Sequence, residues 1–323
     1  MNYRHAFHAG SFADVVKHAV LVRLLVHLRG KPSAFRVIDT HAGSGLYDLA
    51  GPEASRSLEW REGIHRLFTT TVAEPARAAL ASEASGQRGH HEVRAHSASE
   101  DARKRADDTR PEPGSSARAL LARYLAIVAE LNPSGRLVAY PGSPAIVRAL
   151  LRPQDRLVAC ELEPNAAAAL GRCLAGDRRA KALAIDGWTA LNAYVPPKER
   201  RGLVLIDPPF EDESDFARLA RSLEAAHRKW PGGTYLLWYP IKEREAPDTL
   251  ARRLRRSGIA KILRAELGIA GPPASSRLGA CGLIVVNPPW TLERELAIML
   301  PALAATLSDD RTRHCVDWLA GEK

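Results

Sequence analysis

Asp207-Pro208-Pro209-Phe210 follows the apolar run "LVLI", so a carboxylate, two prolines and an aromatic ring stand at what reads as the end of a buried strand. Prolines donate nothing to a strand ladder and fix the local backbone, which holds the Asp207 carboxylate and the Pro208 carbonyl as two neighbouring acceptors. An exocyclic amino group on a flat heterocycle carries two N–H donors and matches such a pair. Its lone pair is conjugated into the ring and is a poor nucleophile. Holding both hydrogens aims nitrogen density at an electrophilic carbon, and positioning of this kind supplies much of a transfer rate. Phe210 offers a face for the base to stack on, and a base inside a duplex must flip out to reach it. The chemistry implied is methyl transfer to an amino nitrogen. A near copy, Asn287-Pro288-Pro289-Trp290, stands downstream, and composition alone does not separate the two.

Seven strand candidates position these motifs: 35–40, 156–162, 181–186, 202–209, 234–241, 260–267 and 281–289. The first four are continuous apolar runs, the mark of parallel strands covered on both faces. Alanine-rich or amphipathic helical stretches such as 164–175 and 214–230 separate most of them. This pattern predicts a Rossmann-like α/β fold with an open, doubly wound sheet. Methyltransferases of this sheet type have seven strands and insert the last one antiparallel. The strand at 281–289 takes that place, entered through the loop 268–280, and its carboxyl end points away from Asp207. Asn287 and Trp290 are therefore expected to be structural, with Trp290 packed against neighbouring helices.

Ligands of an open parallel sheet sit beyond the carboxyl ends of its strands. The first strand runs into "DTHAGSG" (39–45), where Gly43 and Gly45 allow a tight turn beside a ligand. The Lys-Ser/Thr of a triphosphate loop is missing. The second strand ends at Glu161, placed to accept from ribose hydroxyls, and the third at Asp186, placed to accept from an adenine amino group. Each acid alone would also serve as a helix cap. Three acids after successive parallel strands describe a pocket for an adenosine cofactor without phosphates, S-adenosylmethionine. The pyrophosphate loop and following acid of an NAD site are absent.

The chain has 323 residues, 46% hydrophobic and 26% charged, with a net charge of +9 that suits a polyanionic partner such as nucleic acid. Its four cysteines are far apart, which favours neither a zinc site nor a disulfide framework and fits a reducing cytoplasm. The run "AVLVRLLVHL" (19–28) is interrupted by Arg23 and His27 and is too short for a membrane span; a helix buried on one face is expected. More than a hundred residues separate the first two strands. We expect a methyltransferase domain at 1–51 and 141–323 and an inserted helical subdomain at 52–140, helical over 56–81 and 117–131. The stretch 82–118 has one valine as its only large aliphatic residue and is expected to be disordered, with its His90-His91 pair on flexible surface.

The chain resembles the bacterial 23S ribosomal RNA adenine-N6 methyltransferases of the RlmJ type. The resemblance rests on "NYRHAFHAGSFADVVKH" (2–18), "DTHAGSGLYDL", "YPGSP" (140–144), "ELEP", "DG", "IDPPF", "GTYLLWYP" and "GLIVVNPPW". It implies that His18, His41, Ser143, Glu161, Asp186 and Gly187 form the cofactor shell, joined by Asp207, which is also the catalytic acceptor. It makes Tyr3 a contact or lid for the adenine and puts Lys17 on the substrate side with Pro208 and Phe210. The implied partner is 23S RNA, free or in early assembly particles, met by a monomer that uses no metal. The family has Tyr after the two prolines; Phe210 keeps the stacking face without the hydroxyl, and the same DPPF ending occurs in guanine-N2 RNA methyltransferases. Guanine N2, cytosine N4, a protein glutamine amide, or RNA binding without catalysis are the other readings.

Overall fold

The computed structural model describes residues 4–70, 116–212, 214–269, 278–308 and 312–322. Its first part contains helix α1 (Phe12–Arg29), strands β1 (Arg36–Asp39) and β2 (Leu46–Asp48), and the short helix α2 (Pro52–Ser57). After α3 (Ala117–Glu130) and β3 (Ala139–Pro141), helices and strands alternate through α4 (Ser143–Leu150), β4 (Arg156–Glu161), α5 (Pro164–Leu174), β5 (Ala180–Ala184), α6 (Gly187–Tyr194), β6 (Gly202–Ile206) and α7 (Asp215–Lys229). The last part runs β7 (Thr234–Pro240), α8 (Glu245–Arg256), β8 (Ile262–Gly268), β9 (Ala280–Val286), α9 (Leu292–Leu307) and β10 (Arg313–Ala320). The sequence reading of 82–118 lies outside the described residues except at its end, where Ser116 caps α3 by accepting from the Ala119 amide.

The main sheet has eight strands in the order β10-β8-β9-β7-β6-β1-β4-β5, so all seven expected strands pair and an eighth joins them. Strands β5, β4, β1, β6 and β7 are parallel, and β9 lies antiparallel between β7 and β8. The extra strand, β10, is antiparallel to β8 at the edge. It mixes polar and apolar residues and only Leu319 is buried, which is why it lacks the apolar run of the others. Strand β6 is buried at every position, whereas β5 at the opposite edge is half exposed and not covered on both faces as expected. One core packs α1, α3, α4 and α9 against one face of the sheet, and a second packs α6, α7 and α8 against the other.

Helix α1 departs from the expectation of one buried face. Nearly all its residues are buried; the exceptions are Arg23, His27 and Arg29. A helix apolar almost all round must be enclosed, and α3, α4 and α9 enclose it with the sheet. Arg23 is neutralised by Glu295 of α9 at 2.7 Å. Among the described residues no helix is long and apolar enough to cross a membrane.

The two proline motifs end at opposite ends of the sheet. Asn287 caps a turn there: its Nδ2 donates to the carbonyls of Pro231 and Gly233, both at 2.7 Å, just before β7 begins. This is the structural role expected of it. Trp290 does not pack against helices: it is 81% exposed. The turn brings Thr291 and Leu292 into the core instead, leaving the indole outside.

Candidate active site

Sheet register assembles the acids. Asp39 of β1 pairs with Ala159 of β4 and Leu205 of β6, while Glu161 of β4 pairs with Ala184 of β5. Glu161, Asp207 and Asp186 each follow one of those partners by two residues, so all three stand at the carboxyl end of the sheet. They line a cavity of about 520 Å3 together with Lys17, His18, His41, Ser143 and Gly187. Every described residue assigned to the cofactor shell is in this cavity; Tyr3 lies outside the described residues.

Glu161 Oε2 accepts from the Gly43 amide at 2.8 Å, and Oε1 from the amides of Leu162 and Glu163. The carboxylate is thus fixed by the glycine turn and the chain that follows it, with a lone pair of Oε2 left over. Asp186 caps α6 through Oδ2, which accepts from the Thr189 amide and hydroxyl, and no bond engages Oδ1 among the described residues. It is therefore a cap and a candidate acceptor at once. At Gly187 a Cβ would stand 2.1 Å from the Thr40 carbonyl and 2.8 Å from the His41 ring, so only glycine lets α6 start this close to β1. Trp188, which sequence reasoning passed over, stands edge-on to His41 at 5.1 Å and carries the Arg218 guanidinium over its ring.

Of the three histidines lining the cavity, His18 and His41 are held neutral by burial. Burial lowers His18 to about 3 and His41 to about 4. His18 Nδ1 is bonded to the Tyr140 hydroxyl at 2.7 Å, while its buried Nε2 has no partner among the described residues. A buried polar atom left unpaired at a cavity wall is the mark of a ligand contact. In an imidazole NMR titration neither ring should change its Cε1–H shift between about pH 8 and 5, because each holds its neutral form far below the ordinary value near 6.5. A midpoint near 6.5 at either ring would remove the neutral assignment.

A second cavity, about 740 Å3, adjoins the first. Phe210, Trp238, His8 and Phe12 line it, and Lys17, Asp207, Pro208 and Pro209 line both. The Asp-Pro-Pro segment is thus a shared wall with one cavity on either side. Phe210 has φ 51°, a left-handed conformation unusual for a bulky residue. Its ring is held by Phe216 at 4.8 Å and Trp238 at 5.8 Å.

Lys17 joins the wall to α1. Its Nζ donates to Asp207 Oδ2 at 2.6 Å and to Asp14 Oδ1 at 2.8 Å. Asp14 Oδ2 is within 2.9 Å of His5 Nε2 and accepts from the Gly10 amide at 3.0 Å. Burial alone would lower Lys17, but the two carboxylates prevail and hold it well above the usual lysine value. Burial would raise Asp14, yet His5 and Lys17 hold it well below the usual carboxylate value. Lys17 is therefore a buried cation between two anions, on the wall that borders both cavities.

Asp14 and His5 were not among the expected site residues. Asp14 and Lys17 are three apart on a helix, a spacing that usually marks an exposed pair, and nothing local reveals the burial. The segment before α1 is pinned by the residues that follow β2. Ser57 donates to the Phe7 carbonyl, His8 bonds Glu59 at 3.0 Å, and the Ile64 amide donates to the Gly10 carbonyl at 2.8 Å. Gly63 makes this approach possible, since a Cβ there would lie 2.0 Å from that carbonyl.

An open Rossmann-like sheet with an antiparallel strand between β7 and β8, and acids after successive parallel strands, defines a class I S-adenosylmethionine-dependent methyltransferase. The family model described as ribosomal RNA large subunit methyltransferase D, RlmJ, matches residues 32–81 and 89–320, and the chain belongs to this family. It is 36% identical to ribosomal RNA large subunit methyltransferase J of Escherichia coli and 34% identical to that of Haemophilus influenzae, over the whole of each chain. A crystal structure of a Legionella pneumophila protein superposes with a TM-score of 0.75 at 28% identity, covering 96% of this chain and 98% of that one.

Proposed function

We propose that this chain transfers a methyl group from S-adenosylmethionine to N6 of one adenine in 23S ribosomal RNA. The observation that carries the reading is the shared wall: Asp207, Pro208 and Pro209 border both the acid-lined cavity and its aromatic neighbour. The cofactor, held by Glu161, Asp186, Gly187, His18, His41 and Ser143, supplies an electrophilic methyl group. With Asp207 Oδ2 occupied by Lys17, Oδ1 and the Pro208 carbonyl accept the two amino hydrogens of the base. Phe210 and its aromatic neighbours give the base a stacking surface. As the N–CH3 bond forms the S–CH3 bond breaks, and the thioether S-adenosylhomocysteine leaves. The methylated nitrogen needs no strong general base, because the proton it then carries is acidic enough to pass to water.

The substrate is RNA whose target base is unpaired or flipped, free or in an early assembly particle, met by a monomer in the cytoplasm. We assign Tyr3, two residues before His5 in the chain, as a contact or lid for the base. We assign 52–140 as the inserted region, whose described residues Ser57 and Glu59 grip the segment that brings His5 to the site. The test is incubation with protein-free 23S RNA and radiolabelled cofactor, followed by nucleoside mass spectrometry. N6-methyladenosine is the expected product. Phe210 in the place of a tyrosine favours guanine N2 as the second reading, so labelled N2-methylguanosine would replace adenine by guanine. No label in RNA despite cofactor binding would overturn the reading.

A further inference from the structure

The positive charge of this chain is concentrated away from the proposed catalytic end. The cavity around Glu161 and Asp207 is lined by eight carboxylates against three lysines and arginines. A polyanion gains little from such a wall. The amino end of the sheet is different. Helix α7 joins the parallel strands β6 and β7, so it runs back from the Asp207 end and puts Arg228 at the amino end. Strand β8 runs parallel to β7, both being antiparallel to β9 between them, so α8 returns the same way and delivers Arg252 and Arg256 there.

The two helix ends enclose a cavity of about 700 Å3 lined by these three arginines, Arg253 and the single acid Glu224. Arg253 neutralises Glu224 at 2.8 Å. Arg228, Arg252 and Arg256 are exposed and have no carboxylate partner among the described residues. The loop entering β6 adds Lys198 and Arg200, both exposed, while the acid between them, Glu199, is taken by Arg36 at 2.7 Å. Asp155 and Asp177, in the loops entering the neighbouring strands, are likewise held by Arg152 and Arg179. These acids are thus used internally, and the exposed cations beside them are left over.

Trp290 is at the same end. It lies three residues beyond Asn287, whose amide donates to the Lys261 carbonyl at 3.0 Å and whose side chain binds the turn after α7. An indole 81% exposed at the same end of the sheet as these arginines is suited to stack on a base of an RNA whose phosphates the arginines hold.

We infer that the amino end of the sheet, through Arg228, Arg252, Arg256, Lys198, Arg200 and Trp290, is a second RNA-docking surface. It binds a part of the substrate RNA remote from the methylated base. The inference rests on ribosomal RNA being the substrate. A strand of six residues spans about 20 Å, so the RNA must extend well past the target base to reach both ends. The surface adds affinity without touching the chemistry.

The test uses the full chain with Arg228→Glu/Arg256→Glu, Lys198→Glu/Arg200→Glu and Trp290→Ala, none of which lies in the catalytic or cofactor site. On protein-free 23S RNA each charge-reversed pair should raise KM about tenfold or more with kcat unchanged. Each should also flatten the slope of log binding constant against log salt by roughly two. Trp290→Ala should weaken binding about fivefold or more while leaving that slope alone, since stacking releases no counterions. If the Glu pairs fail to fold, the corresponding Gln pairs carry the test with a smaller change in KM and the same change in slope. Wild-type KM and slope in the charge variants would overturn the inference, as would a defect seen only on protein-containing particles, which would mark a protein-docking face. An inactive wild-type chain would instead sink the methyltransfer reading, so the two failures are distinguishable.

Discussion

Asp207→Ala should abolish methyl transfer, lowering kcat by roughly a thousandfold or more, while the dissociation constant for S-adenosylmethionine changes by less than about threefold. The reasoning follows from what each oxygen does. Oδ2 is engaged by Lys17 at 2.6 Å, so the acceptor offered to the substrate is the other oxygen of the same group. Alanine removes that acceptor and leaves the amino group free to rotate, with its lone pair still delocalised. The cofactor cavity keeps Glu161, Asp186, His18 and His41, and Lys17 retains Asp14 as a counter-ion at 2.8 Å, so the variant should fold. Asp207→Asn separates geometry from charge: it keeps an acceptor but loses the ion pair. Its kcat should fall between those of wild type and Asp207→Ala. Single-turnover kinetics with isothermal titration of the cofactor reads both numbers. Near-normal turnover in Asp207→Ala would remove this residue from the mechanism.

The parts of this site that were legible in the sequence are those set by strand ends. A parallel strand buried on both faces must be a continuous apolar run, and whatever polar residue follows it stands at the ligand end of the sheet. Glu161, Asp186 and Asp207 were found in that way, and the same rule separated Asp207 from Asn287. The two motifs are not even conformational copies: in one the left-handed residue is Phe210 at φ 51°, in the other Asn287 at φ 52°. What local pattern could not supply was anything created by long-range enclosure. Asp14 is a buried anion held by His5 and the Gly10 amide from the segment before α1 and by Lys17, itself bound to the distant Asp207. The grip of Ser57, Glu59 and Gly63 on the segment holding His5 joins residues about fifty apart in the chain. Trp290 was misread for the converse reason, since an aromatic ring after two prolines carries no local sign of which side of a turn it takes. Strand β10 escaped notice because an edge strand needs no apolar run.

The second large effect is expected at Lys17. Replacing it with Met leaves Asp207 without its ammonium partner and Asp14 with His5 alone at 2.9 Å, in a buried site. Removing one partner of a buried ion pair costs about 3–5 kcal/mol, and the loss should show as a fall in urea midpoint with an unchanged slope. The pH dependence distinguishes this cause from a simple cavity. In the wild type, Asp14 is held well below its ordinary value, so its contribution is full above the unfolded carboxylate pKa of about 3.9 and is lost only as pH falls through the lower folded value. Lys17 is held well above its ordinary value, so its contribution is full below about 10.4 and is lost as pH rises through the higher folded one. The ion pairs are therefore fully present across roughly pH 5 to 9, and over that range they give stability no slope. In Lys17→Met the two carboxylates lose the ammonium between them, His5 reaches only Asp14, and their mutual repulsion favours uptake of a proton. A carboxylate whose folded value is raised contributes stability at low pH and loses it as pH rises, so the variant should weaken steadily from about pH 4 to 7. Lys17→Met/Asp14→Asn removes the repulsion and should recover most of the stability and flatten that slope. It should not recover turnover, because Asp207 still lacks the donor that fixes its Oδ2. Stability of Lys17→Met that follows the wild-type pH profile at a constant offset would mean that Lys17 acts by packing alone.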